Sequence, residues 1–229
     1  VGCRSCPRRY VARSRGYAEV VRILWLTVVA AATLAAACAT DASLPVVGPP
    51  NPQDIALKPA DVPQGLKSCA GSGPIDGYIA SVRTKDPDGY ASLQDAWAAL
   101  KSNGANAAAI GAYVEDPSTA CTGTLGAGQG KSATSFVIRY KDEGSATTAY
   151  KRGLLNFPTP QQGQQTPGLT VGTATGLGAN SWVYDRAVNG KAAYLAFWQV
   201  KQFDVMILTA DLDPVDSRKA ADVVYSRAR

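Results

Sequence analysis

The clearest pattern in the chain is a set of three short, largely apolar segments near its end. Residues 181–188, 192–200 and 203–210 read as strands, joined by Asn189-Gly190, a strong two-residue hairpin signal, and by the short Lys201-Gln202 link. The middle segment is apolar on both faces, with Ala193, Leu195 and Phe197 on one and Tyr194, Ala196, Trp198 and Val200 on the other. The next repeats this, setting Phe203, Val205 and Ile207 against Met206 and Leu208. A sheet with one wet face alternates polar and apolar residues, so both faces of this meander are expected to be covered, by helices or by a wall enclosing a cavity.

Helical spacing appears elsewhere. Leu93, Trp97 and Leu100 form a stripe within 89–103, and Ala107, Ile110, Tyr113 and Val114 continue it after Gly104, which predicts a second helix or an extension of the first. Residues 132–140 contain Phe-Val-Ile-Arg-Tyr and read as a strand. A turn at Lys141–Ser145 follows, then a helix with Ala146, Ala149, Tyr150 and Leu154 on its apolar side. Asp213-Pro214-Val-Asp216 reads as the cap, first-turn proline and acidic first turn of a C-terminal helix. The order strand, acidic turn, helix thus occurs at 136–151 and at 203–226, the outline of a weak internal duplication. Residues 156–169, rich in Pro, Gln and Gly, predict a long surface loop. The expected fold class is α+β: a mainly antiparallel sheet with a C-terminal three-stranded meander, flanked by about four helices.

Charge is distributed unevenly. The 229 residues hold 23 Lys and Arg against 18 Asp and Glu, a formal net charge of +5. Arg4, Arg8, Arg9, Arg13, Arg15 and Arg22 precede residue 38 with Glu19 as the one acid there, so the remainder balances at 17 and 17. The basic excess therefore gives no support to nucleic-acid binding by the rest of the chain.

Directly after Arg22, residues 23–37 form an uncharged apolar run ending in small residues, short for a bilayer span of about 20 residues and suited to the h-region of a signal peptide. Leu34-Ala35-Ala36-Ala37-Cys38 resembles the lipobox of bacterial lipoproteins, with Leu34 one place further back than the family's usual aliphatic residue. The resemblance implies cleavage before Cys38, lipidation of its thiol and attachment to the extracytoplasmic side of the cell membrane; the alternative is an ordinary secretory signal cleaved near Ala37. Residues 1–20 make a long basic lead, and a true start at Val20 or Val21 would leave them as an untranslated upstream extension. Cys3-Arg-Ser-Cys6 has no second pair to complete a metal site. The expected organisation is a signal peptide over 1–37, a lipidated Cys38 and Pro-rich tether over 38–56, and a single extracytoplasmic domain over 57–229. That domain opens with Leu57-Lys-Pro-Ala-Asp61-Val-Pro-Gln-Gly65-Leu66, which resembles an entry turn seen in other bacterial lipoprotein domains; Pro63 and Gly65 also suffice for a turn anchored by Leu57, Val62 and Leu66.

Two further cysteines, Cys69 and Cys121, are expected to form one structural disulfide in an exported domain. The chain has no His, which removes His-dependent triads, His general bases and His-ligated metal sites. Gly126-Ala-Gly-Gln-Gly130-Lys131-Ser132 resembles a phosphate-binding loop, but its first glycine is one place too close and a strand follows where a helix is needed. Gly176-Leu-Gly178 precedes a hairpin, which suits a tight turn better than a dinucleotide fingerprint. Asp211-Leu-Asp213 with Asp216 lacks the Gly and distal Glu of a calcium loop and is better explained by helix capping.

No catalytic residue, cofactor or metal ligand is called for. Tyr184, Tyr194, Ala196 and Trp198, with Trp182, are the candidates to line a ligand pocket, against the plainer role of aromatic core. The expected function is a non-enzymatic envelope module, held at the membrane through lipid on Cys38 and binding a small apolar ligand or a partner protein. The alternatives are a carboxylate-dependent enzyme using Asp185, Asp204 or Asp211, and a structural spacer without ligand.

Overall fold

The computed structural model describes residues 48–122, 130–155, 157–161, 163–188 and 190–229. The leader, Cys38 and most of the tether lie outside the described residues, as do Gly126–Gln129 of the glycine-rich loop and Asn189.

Among the described residues, eight strands form one antiparallel sheet. They are β1 (Lys67–Ser68), β2 (Gly73–Pro74), β3 (Ala105–Val114), β4 (Ser132–Tyr140), β5 (Leu169–Val171), β6 (Ser181–Val188), β7 (Lys191–Val200) and β8 (Phe203–Ala210). The order is β1-β3-β4-β8-β7-β6-β5, with β2 also on β3, so two short pieces share one edge. The helices are α1 (Pro52–Ile55), α2 (Ile75–Val82), α3 (Pro87–Ser102), α4 (Pro117–Ala120), α5 (Glu143–Arg152) and α6 (Pro214–Ala228), of which α1 and α4 are single turns. The fold is α+β with an adjacent C-terminal meander β6-β7-β8, as the pattern of these segments predicts.

Each face of the sheet has its own core. Leu195, Phe197 and Met206 pack with Phe136, Ile138 and Tyr140 beneath α2, α3 and α5. Tyr194, Ala196, Trp198, Val205 and Ile207 pack beneath α1 and α6, whose inward residues include Ile55, Ala220, Ala221 and Val224. Both faces of the meander are therefore dry because helices cover both. Side-chain caps start the longer helices: Asp86 accepts from Gly89 N, Asp142 from Ser145 N and Asp213 from Val215 N. The Asp213 carboxylate, one of the residues of the calcium-like fragment, is thus used as a cap.

Residues 105–114 are a strand and do not continue α3 as a helix. Gly104 adopts φ +96°, which ends α3 and turns the chain into β3. Ala108, Ile110, Ala112 and Val114 then face one core, and Ala109 and Tyr113 the other. A strand buried on both sides is apolar at nearly every position, so its periodicity does not separate it from a buried helix. Ala-rich helix propensity yields here to strand pairing with β4.

The core begins before the expected boundary at residue 57. Pro52, Ile55 and Ala56 are buried, and the chain crosses the sheet with Leu57 N donating to Ser135 Oγ at 2.9 Å and Tyr113 OH donating to Leu57 O at 3.1 Å. Gly111 lies directly below: a Cβ there would stand 2.7 Å from Leu57 O and 2.9 Å from Ser135 Oγ. A disulfide between Cys69 and Cys121 joins the end of β1 to the end of α4. The two strand-turn-helix units at β4–α5 and β8–α6 send their helices to opposite faces, although β4 and β8 are antiparallel neighbours. A two-fold normal to the sheet would keep both helices on one face, so the sequence echo carries no such symmetry.

Candidate functional site

The residues expected to line a pocket are divided between the two faces. Tyr194, Ala196 and Trp198 are 4%, 0% and 0% exposed beneath α6, where the Trp198 ring meets Tyr225 edge-on at 6.1 Å. Burial, reinforced by the negative charge of Asp222, pushes the Tyr194 hydroxyl up to about 12. Tyr184 is half-buried on the other face, its hydroxyl accepting from Arg186 Nη1 at 2.8 Å. Trp182 joins that side too, edge-on to Phe197 at 5.9 Å. These aromatics are packing elements of two separate cores.

The three candidate carboxylates do not converge. Asp204 is buried beneath α5 on the Phe197 side of the sheet, whereas Asp185 pairs in register with Tyr194 and lies on the Val183 side. Asp211 sits in the turn after β8 at φ +56°. Burial holds the Asp204 carboxyl well above the usual aspartate range, opposed in part by the nearby Tyr140 hydroxyl. The same burial, with the Asp204 charge, raises Tyr140 and Tyr150. Asp204 Oδ1 and Tyr140 OH lie buried in an apolar layer with no further polar partner among the described residues.

With both sheet faces closed, the concave surfaces lie outside the core; one of about 560 Å³ runs along the outer side of α6 over Val215 and Val223, and two lie beside α3. The first, about 550 Å³, runs between α2 and α3 over Ile79, Tyr90, Trp97 and Ala98. Arg83 stands 5.6 Å from the Tyr90 ring centre, and Lys101 stands 5.6 Å from that of Trp97. The second, about 420 Å³, lies between the end of α3, the β4–α5 turn and the outer side of α5. Lys101 lines both.

The second cleft is basic. Lys101 comes from the last turn of α3, Lys141 from the turn after β4, and Arg152 from the last turn of α5. None of the three is ion-paired among the described residues. Asn103, the cap residue of α3, accepts from Arg152 Nη1 through its Oδ1, while its amide donates to Ala99 O at 2.8 Å. The guanidinium is thereby held across the mouth. Gly144, Ser145, Thr148 and Ala149 keep the wall of α5 low between these long cations. Asp142, the one acid in the lining, is turned to the start of α5, where the Ser145 N–H and hydroxyl, and then the positive charge of Lys141, hold its carboxyl below the usual range.

Sequence reasoning did not find these cations. Basic residues in the last turns of helices complement the helix dipole wherever they occur, and Lys141 belonged to a plain turn. Their convergence needs the register that folds three distant segments together. At the opposite end of the sheet, Glu115, Asp211, Asp213 and Asp216 surround a smaller recess of about 190 Å³, where Glu115 accepts from Lys131 N at 3.0 Å. Compared with known proteins, the chain matches no protein-family model and no curated protein sequence.

Proposed function

We propose that the chain is an envelope lipoprotein whose domain binds its ligand without catalysis, on the helical surface around α3. Its partners in this reading are the membrane, through lipid on Cys38, and a ligand or envelope protein received by the domain; nucleic acid is not among them. The observation that carries the binding part is the pair of clefts meeting at Lys101, set against a sheet whose two faces are packed shut. A volume of about 420 to 550 Å³ falls among small-molecule sites, which span roughly 300–1,000 Å³. The export part is supported by the Cys69–Cys121 disulfide, a bond that persists in oxidising compartments, and by the apolar run and lipobox-like ending at Cys38.

The test is intact-mass measurement of the protein from the membrane fraction of its host. The expected product begins at Cys38, carries diacylglycerol and has lost two hydrogens to the disulfide. A soluble product beginning elsewhere, or two free thiols at Cys69 and Cys121, overturns the assignment.

A further inference from the structure

We propose that the cleft between the end of α3 and the outer side of α5 binds a small anionic sugar, a phosphosugar or uronate, through Lys101, Lys141 and Arg152. The inference rests on the reading of the domain as a binding module and names the ligand chemistry of its basic cleft.

Three cations from three separate elements converge on one concavity, and the only carboxylate there is occupied in capping α5. Cations without an ion pair at a cleft favour an anion; the Lys101 ammonium, now over the Trp97 ring, would swing to it, and a guanidinium already oriented by Asn103 gives up less freedom when it binds one. Arg152 keeps further N–H donors for the oxygens of a carboxylate or phosphate, while Lys101 and Lys141 supply mobile point charges.

The hydroxyls in the wall specify the rest. Ser102 Oγ donates to Ala99 O at 2.8 Å and Thr148 Oγ1 donates to Gly144 O at 2.9 Å. With their protons committed to the backbone, both oxygens face a ligand as acceptors. Hydrogen phosphate brings one hydroxyl donor to them; a sugar ring brings several, spaced around its edge. The cleft thus pairs donors for an anionic group with acceptors for hydroxyls, and its 420 Å³ suits a compact ligand.

The experiment is isothermal titration of the full chain in detergent with glucose 6-phosphate, glucuronate, glucose and inorganic phosphate. Glucose 6-phosphate or glucuronate is expected to bind one to one, at least about tenfold more tightly than inorganic phosphate, with no heat from glucose. K141A and R152A are each expected to weaken that binding about tenfold or more, and T148E, which sets a carboxylate in the wall, to abolish it. Circular dichroism checks that each variant is folded, and the two surface alanine variants stand as independent tests if T148E is not. Absence of binding by both sugars up to about 10 mM, equal binding of inorganic phosphate, or affinity unchanged in K141A and R152A overturns the proposal. Because the mass measurement reads Cys38 and the titration reads residues 101–152, either assignment can fail while the other stands.

Discussion

Arg227 and Asp61 meet across 166 positions of sequence as a two-pronged pair, Nη1 on Oδ2 at 2.6 Å and Nη2 on Oδ1 at 2.7 Å. Arg227 also donates to Ala56 O at 3.2 Å, and the Lys58 N–H donates to Asp61 Oδ2 at 2.7 Å. The last turn of α6 is thereby fastened to the segment that enters the domain.

Breaking this pair leaves a carboxylate only 7% exposed without its cation. R227A is expected to lower the unfolding free energy by about 2–4 kcal/mol at pH 7, and R227K to restore only part of it, because an ammonium cannot make the fork. Burial alone would raise the Asp61 carboxyl, but Arg227 and the Lys58 N–H outweigh it and hold it below 3.8. A carboxyl depressed in the folded state stabilises above its unfolded value and loses that contribution as pH falls through the folded one. Urea unfolding of wild type and R227A should therefore converge below about pH 4; a gap of the same size at pH 3 and pH 7 refutes the account.

Asp204 has the opposite sign. Its folded value is raised, so from about pH 4 upward the unfolded state ionises while the folded state keeps the proton, and stability falls with rising pH. D204N removes that proton linkage at nearly constant shape. The stability of wild type relative to the variant should therefore fall as pH rises from about 4 toward 7, as urea unfolding at several pH values reads it. A difference between the two proteins that stays constant from about pH 4 to pH 7 would show that the Asp204 carboxyl is not raised in the fold.

Trp198 and Tyr184 contrast a fully buried core position with a half-buried one at the margin of the other core. W198A should cost about 3–5 kcal/mol, since it empties a fully buried site between β7 and α6, whereas Y184A should cost under about 1 kcal/mol. Neither change should alter binding of glucose 6-phosphate, whose cleft lies elsewhere. Chemical denaturation ranks the two, and equal costs would show that Tyr184 is packed as closely as Trp198.

The Cys69–Cys121 bond closes a 52-residue interval. On the chain-entropy account its loss in a C69A/C121A variant should cost about 4 kcal/mol. Thermal unfolding with and without reductant reads the same quantity in the wild type, and a reductant-insensitive midpoint speaks against a closed bond.

G111A tests the crossing of the entry segment. The added methyl would press on the Leu57 carbonyl and the Ser135 hydroxyl, costing about 1–3 kcal/mol and exposing the 52–61 segment to proteolysis. Limited proteolysis with no new cleavage before residue 62 would show that the segment yields easily.

The elements legible in the sequence are those whose information is local. The meander follows from short apolar runs set off by two-residue links, α3 and α5 from their apolar stripes, and α6 from the Asp213 cap with Pro214 behind it. β3 was obscured by being dry on both sides, which erases the period. The Asp61–Arg227 pair was invisible because nothing near Asp61 announces a partner so distant. Lys101, Lys141 and Arg152 escaped notice for a similar reason: each has a sufficient local role, and only the fold brings them to one cleft. The aromatics of the meander were legible as apolar but not by destination, since residues two apart on β6 or β7 share a face while adjacent ones enter different cores.

The place of β8 has a consequence in time. It is the last strand to be synthesised, yet it lies between β4 and β7, so the described chain up to residue 200 contains two strand groups, β1 to β4 and β5 to β7, with no pairing between them. β4 keeps an open, largely apolar edge until residues 203–210 arrive, and α6 must then follow to close the second core. Such a topology folds late and as a whole, through contacts of long sequence separation. A ribosome-bound chain stalled before residue 203 should accordingly remain protease-sensitive and open to capture by chaperones, with no folded intermediate to unravel.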